Sequence, residues 1–161
     1  IEKLKWMNGQ YLKNLSIETI MNYAEPVFKS EGIDTGDTGK FKAVVENARK
    51  RADTIPEMIE HSLPFYNELQ HSDDNKNLLQ NEASQKVLTY FSEKLSGESK
   101  WTEAEIKSLV NETADATDVK GKDLYAPLRL ALFGMAHGPD IPLLIDILGV
   151  NKAISRLKEY I

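Results

Sequence analysis

Residues 127–148 read P-L-R-L-A-L-F-G-M-A-H-G-P-D-I-P-L-L-I-D-I-L. An apolar helix carrying one arginine, Arg129, stops at Gly134. A Gly138-Pro139 turn follows, and a second apolar helix begins. Glycine ends helices by taking a left-handed conformation, and proline opens them because its missing N–H is not needed there. A lone guanidinium beside a turn of exposed backbone suits the reading of a flat polar group such as an unpaired nucleobase. The same residues also describe an ordinary helical hairpin with one solvated arginine.

The apolar spacing around this hairpin is helical throughout, and no period-two strand pattern appears. Trp6, Tyr11 and Leu12 mark a first helix. Ile17, Ile20, Met21, Ala24 and Phe28 mark a second, expected to bend or end near Pro26. Gly32 to Gly39 reads as a loop. Phe41, Val44, Val45, Ala48 and Ala52 mark a third helix. Thr54 and Glu57 form a capping-box pattern with Pro56 in the first turn. The polar segment 71–75 is the expected boundary between two parts, 1–72 and 73–161. Beyond it, Leu78 to Leu95 reads as one long helix closed by Gly97. Thr102 and Glu105 make a second capping box. Helices over 122–133, 140–148 and 151–161 complete an all-α chain, with Gly149 as a terminator and Asn151 as a cap.

With 161 residues, 41% hydrophobic and 28% charged, the chain has a soluble globular profile and enough length for one good core or two small ones. No run approaches the roughly 20 apolar residues of a membrane span. There is no cysteine, which excludes disulfides and thiol catalysis and fits a cytoplasmic protein. The chain opens on Ile1 rather than Met, as expected of a piece of a longer polypeptide.

Net charge is −5, which argues mildly against nucleic acid, whose nonspecific affinity comes from neutralised phosphates. The exception is local. Lys40, Lys42, Arg49, Lys50 and Arg51 face a single acid, Glu46, between positions 40 and 51. Such a run is either a basic patch or a solvated helix face. His61, His71 and His137 lack metal-ligand spacing. No nucleophile sits in a recognisable elbow, and Gly39-Lys40 lacks the residues of a phosphate loop. Nothing in the chain points to catalysis of its own.

Five collinear motifs nevertheless carry a resemblance. They are K-L-K-W-M-N-G-Q-Y-L at 3–12, R-A-D-T-I-P-E-M at 51–58, Trp101-Thr102-Glu103, Pro127-Leu128-Arg129-x-Ala131-Leu132-x-Gly134, and I-L-G-V-N-K-A-I-S-R-L at 147–157. Together they resemble the C-terminal, anticodon-binding half of bacterial glutamyl-tRNA synthetase. The resemblance covers essentially the whole chain, and the ATP-binding signatures of the class I catalytic domain are not in it.

The resemblance implies a helical bundle over 1–72, joined to a catalytic domain outside this chain, and an α-helical cage over 73–161. It implies a parent ligase that esterifies glutamate to tRNA-Glu with ATP and Mg. The partners expected are the tRNA-Glu anticodon loop and the chain's own catalytic domain, with no membrane, and no cofactor or metal in the fragment. Arg51 matches the family arginine at the third anticodon base, a cytosine, and Arg129 the one at the first base. Gly138-Pro139 matches the turn whose main chain meets the central uracil, and Ile141 an apolar neighbour. Gly138 departs from members with Thr there, so no hydroxyl can contribute. Arg49 and Lys50 are candidate phosphate contacts. Trp6 and Tyr11 are expected as buried aromatics of an interdomain joint, Phe91 and Trp101 as core.

The chemistry of the bases agrees with these assignments. Cytosine's pairing edge offers two acceptors to a guanidinium, whereas guanine offers donors. The competing reading is a helical protein-interaction domain with no RNA role.

Overall fold

The computed structural model of the chain describes residues 2–161, with side chains from Asn8 onward. Among these residues there are ten α-helices, one short 3-10 turn and no strand. The fold is all-α, as the apolar period requires. The chain divides into two compact units, residues 1–68 and 69–161.

In the first unit, α1 spans Glu2–Asn14 and α2 Ile17–Ser30. Ser16 caps α2 by accepting from the Thr19 amide. The helix continues through Pro26 for another turn rather than ending there. α3, Thr38–Ala48, is capped by Asp37. It stops short of the expected Ala52, and Arg49 to Arg51 form a turn. α4, Ile55–Ser62, starts at the Thr54 cap. Here Glu57 reaches back to the Asp53 amide at 2.8 Å rather than to Thr54 itself. A 3-10 turn, Leu63–Phe65, closes the unit. Its core is one apolar stripe from each of α2, α3 and α4, centred on Phe28 and Phe41, whose rings meet edge to face at 5.2 Å.

In the second unit the expected single helix over 78–95 is two: α5, Asp73–Gln80, and α6, Glu82–Leu95. Asn81 is extended (ψ 158°), ends α5 and caps α6 by accepting from the Ser84 amide at 2.7 Å. The break was hidden because the apolar stripe resumes in register beyond it. The segment 71–75, expected to be unpatterned, includes the first turn of α5, with Ser72 as its cap. α7, Glu103–Thr117, carries both halves of the Thr102/Glu105 capping box. α8, Lys122–Phe133, ends at Gly134 in the left-handed conformation (φ 81°). α9 is Ile141–Leu148 and α10 Val150–Lys158. Gly149 (φ 82°) both ends α9 and opens α10, so the cap falls two residues before Asn151.

The second unit is built around α6, which packs on α7, α8 and α10. Phe91 is fully buried there. Trp101 is half-buried; its indole N–H donates to the Leu95 and Glu98 carbonyls (3.1 and 3.2 Å), satisfying groups at the C-terminal end of α6. The units divide at 68/69, four residues before the expected 72/73. Residues 69–72 belong to the second unit through contacts remote in sequence. Leu69 lies against Gly134, and the His71 ring bonds the Tyr160 hydroxyl at 2.8 Å.

Candidate nucleic-acid interface

The expected site residues fall in both units, which are taken separately. In the second unit, α8 presents Arg129 on the turn before its Gly134 terminus. The guanidinium Nε donates to the Pro139 carbonyl at 3.1 Å. Its Cζ stands 5.4 Å from the centroid of the Tyr125 ring, one helical turn earlier. One hydrogen bond and one ring therefore fix the arginine. Neither Nη group has a hydrogen-bond partner among the described residues. This leaves a planar, permanently charged fork of donors at the protein surface.

Arg129, Pro139 and Ile141 thus come together, though not all as solvent-facing groups. Pro139 is buried and its carbonyl is already engaged. Ile141 is 1% exposed, so its side chain packs inward. Gly138 is exposed with φ 150°, a value that side-chain-bearing residues rarely adopt. Between Met135 and Asp140, no backbone amide donates to another group among the described residues. Solvated amides here are ready donors for a ligand. The main-chain surface expected of the Gly138-Pro139 turn therefore rests with Gly138 and its neighbours more than with Pro139.

In the first unit, α3 ends at the turn that carries Arg49, Lys50 and Arg51. Arg51 is exposed, and its amide closes the turn onto the Ala48 carbonyl at 3.0 Å. Lys50 is exposed beside it. Arg49 is different. It donates to the Leu15 carbonyl at 2.9 Å and to Glu46 at 3.0 Å, and its side chain is only 18% exposed. It ties the α1–α2 link to α3 and is a structural residue. The rest of the basic run is similarly engaged. Lys42 faces Glu18 at 4.0 Å, and Lys40 lies 4.5 Å over the Tyr66 ring. Burial, helped by Asp37 and Asp34, pushes the Tyr66 phenol up to about 12. Within the run, then, Arg49 and Lys42 face acids, whereas Lys40 over a neutral phenol keeps its charge.

The Trp6 side chain lies outside the described residues. Tyr11 is 64% exposed within this chain; the joint expected to bury it involves a catalytic domain that the chain does not include. With Tyr23 and Ile55, Tyr11 borders an apolar groove of about 410 Å³. Tyr125 has no place among the residues expected from sequence. The signal for it is its i, i+4 spacing from Arg129.

Among the described residues no three His, Asp or Glu side chains converge as a metal site, and no helix is long and apolar enough to cross a membrane.

A profile of the anticodon binding domain family matches residues 16–161. The glutamate–tRNA ligase of Aquifex aeolicus is 35% identical over 158 residues, 97% of this chain and 33% of that protein. That of Staphylococcus saprophyticus is 31% identical over 166 aligned positions, covering 99% of this chain and 34% of the relative. The chain therefore spans about a third of the length of the curated relatives it matches. Among solved structures, a glutamate tRNA ligase from Elizabethkingia meningosepticum, in complex with its amino acid, superposes with a TM-score of 0.86. It is 24% identical and covers 99% of this chain and 32% of that one. This likeness speaks to the fold.

Proposed function

Since the chain belongs to the anticodon binding domain family, we propose that it is the part of a glutamate–tRNA ligase that grips the anticodon loop of tRNA-Glu. The rest of such a ligase would activate glutamate with ATP and transfer it to the tRNA. On this reading ATP and magnesium would be bound by the catalytic part of such a ligase, a cytoplasmic enzyme.

The observation that carries this reading is the Arg129 fork. It is held by Pro139 and Tyr125 beside a turn with uncommitted amides, inside the stretch that the family profile covers. Sequence-specific RNA readers target unstacked loop bases with such groups. Arg129 reads the first anticodon base, and the Gly138 main chain meets the central base, with Pro139 and Ile141 forming its apolar backing. In the other unit Arg51 reads the third base by donating to the two acceptors of cytosine. Lys50 meets a phosphate.

The test is binding of tRNA-Glu transcripts across a salt series, with single-base changes in the anticodon as controls. The proposal expects salt-dependent binding that anticodon changes weaken. A protein-interaction domain predicts neither, and that result would remove the RNA role.

A further inference from the structure

Resting on that reading, we infer that Gly9 of α1 and Asp53 are positioning residues for Arg51: the way α1 seats against the turn sets how sharply the third anticodon base is read. Gly9 is buried in the interior of α1, where alanine would make the better helix. Such a glycine is explained when another group approaches the backbone closely. Here that group is Asp53. A methyl group on Gly9 would stand 1.9 Å from Asp53 Oδ1, 2.8 Å from its Cγ and 3.3 Å from its Cβ. The Asp53 side chain therefore rests on bare helix backbone.

Asp53 is two residues past Arg51, and the backbone between them has little slack. The Arg51 and Ala52 amides both donate to the Ala48 carbonyl, at 3.0 and 3.1 Å. The Ala52 side chain is fully buried. The Asp53 amide donates to Glu57 at 2.8 Å, and Thr54 caps α4. Arg51 thus leaves the surface from a turn held by α3 on one side and by α4 and α1 on the other.

A guanidinium meets the two acceptors of cytosine through paired hydrogen bonds, which weaken steeply when misaligned. A methyl group at position 9 would force such a misalignment. The Asp53 carboxylate can swing aside, but its Cβ is bonded to the turn itself, so α1 or the turn must give by a few tenths of an ångström. α1 precedes residues 16–161, the stretch that the family profile matches. Reading of the third base then depends on a helix outside that stretch.

The experiment measures dissociation constants of tRNA-Glu anticodon stem-loops by fluorescence anisotropy, with C or G at the third anticodon position and, separately, with the first base changed. Gly9→Ala should shrink the C-over-G ratio about fivefold, part of the roughly tenfold or more that a bidentate contact supplies. The penalty for changing the first base, read by Arg129 in the other unit, should stay as it is. Asp53→Ala should also blunt the ratio, since the turn loses its rest on α1. The double variant should regain most of it, because the new methyl fills the space the carboxylate leaves, a non-additivity expected of residues in contact. Alanine favours the helix, so Gly9→Ala should stay folded, and thermal unfolding checks this. A ratio unchanged in Gly9→Ala, a first-base penalty that falls with it, or a double variant as poor as the product of the singles overturns the inference. If Arg51→Gln relaxes the ratio and Gly9→Ala does not, this inference alone falls and Arg51 remains the reader. If Arg51→Gln leaves the ratio unchanged, the assignment of Arg51 falls and this inference with it.

Discussion

Arg49 donates to the Leu15 carbonyl and to Glu46, whereas Lys50 and Arg51 beside it are exposed on the same turn. Three adjacent cations should therefore respond differently to substitution. Arg49→Ala should lower stability by about 1–2 kcal/mol, the worth of lost charge-assisted bonds, and leave base preference alone. Thermal unfolding and stem-loop binding separate the two effects. Lys50→Ala should weaken every RNA by a similar modest factor. Arg51→Gln should relax the preference for C over G at the third anticodon position, because glutamine can accept from guanine where arginine can only donate. A C/G ratio of dissociation constants equal to that of the unaltered chain would rule Arg51 out as a base reader. His71 gives a pH effect of definite sign. Burial, reinforced by Lys76, holds its pKa below the usual histidine value, and Glu159 opposes this weakly. Its Nδ1 is buried without a partner. The unfolded chain thus takes up a proton near pH 6.5 that the folded chain resists, and folding stability falls as pH drops below that value. Between pH 7.5 and 5.5 the melting temperature should fall, and His71→Gln should flatten the slope.

At the scale of the helices, local chemistry was legible and remote chemistry was not. Thr102/Glu105 and Gly134 act as their spacing implies, because a cap's partners lie within one turn. The break at Asn81 was not legible, since Leu79, Ala83, Val87 and Phe91 keep one helical face across it. The unit boundary was misplaced because the groups that claim Leu69 and His71, Gly134 and Tyr160, are distant in sequence. The site divides in the same way. Motifs pointed to Arg129 and the Gly138-Pro139 turn, but the bond from Arg129 to the Pro139 carbonyl spans a fold-dependent gap. Asn81→Ala should cost about 1 kcal/mol through loss of the α6 cap. Gly134→Ala should cost about 1–2 kcal/mol, because φ is 81° and a Cβ would come within 3.2 Å of Leu69. Denaturant midpoints check both, and a neutral Gly134→Ala would mean the terminus adjusts freely. Arg156 is another long-range tie that the period could not reveal. It is 2% exposed and donates to the Leu132 carbonyl at 2.7 Å, so α10 satisfies the end of the helix that carries Arg129.

For the whole chain, the absence of nucleophile, phosphate-loop and metal-cluster patterns predicts no ATP–pyrophosphate exchange by the purified protein. Exchange above background would place activation chemistry here after all. Net charge is −5, and Lys40, Lys42 and Arg49 of the one basic run are engaged within the chain. With Lys50 the one phosphate contact proposed, the log–log salt slope for stem-loop binding should be shallow, about −1 to −2. A much steeper slope would reveal a phosphate-binding surface not recognised here. That same engagement governs the search for a partner. An acidic surface gives little long-range attraction, so encounters with RNA proceed without electrostatic acceleration and wrong RNAs are not detained. Under the proposed function, discrimination is then a matter of dwell time: a cognate loop would stay because its bases are held, and a non-cognate one would leave quickly, keeping the protein free to sample the next.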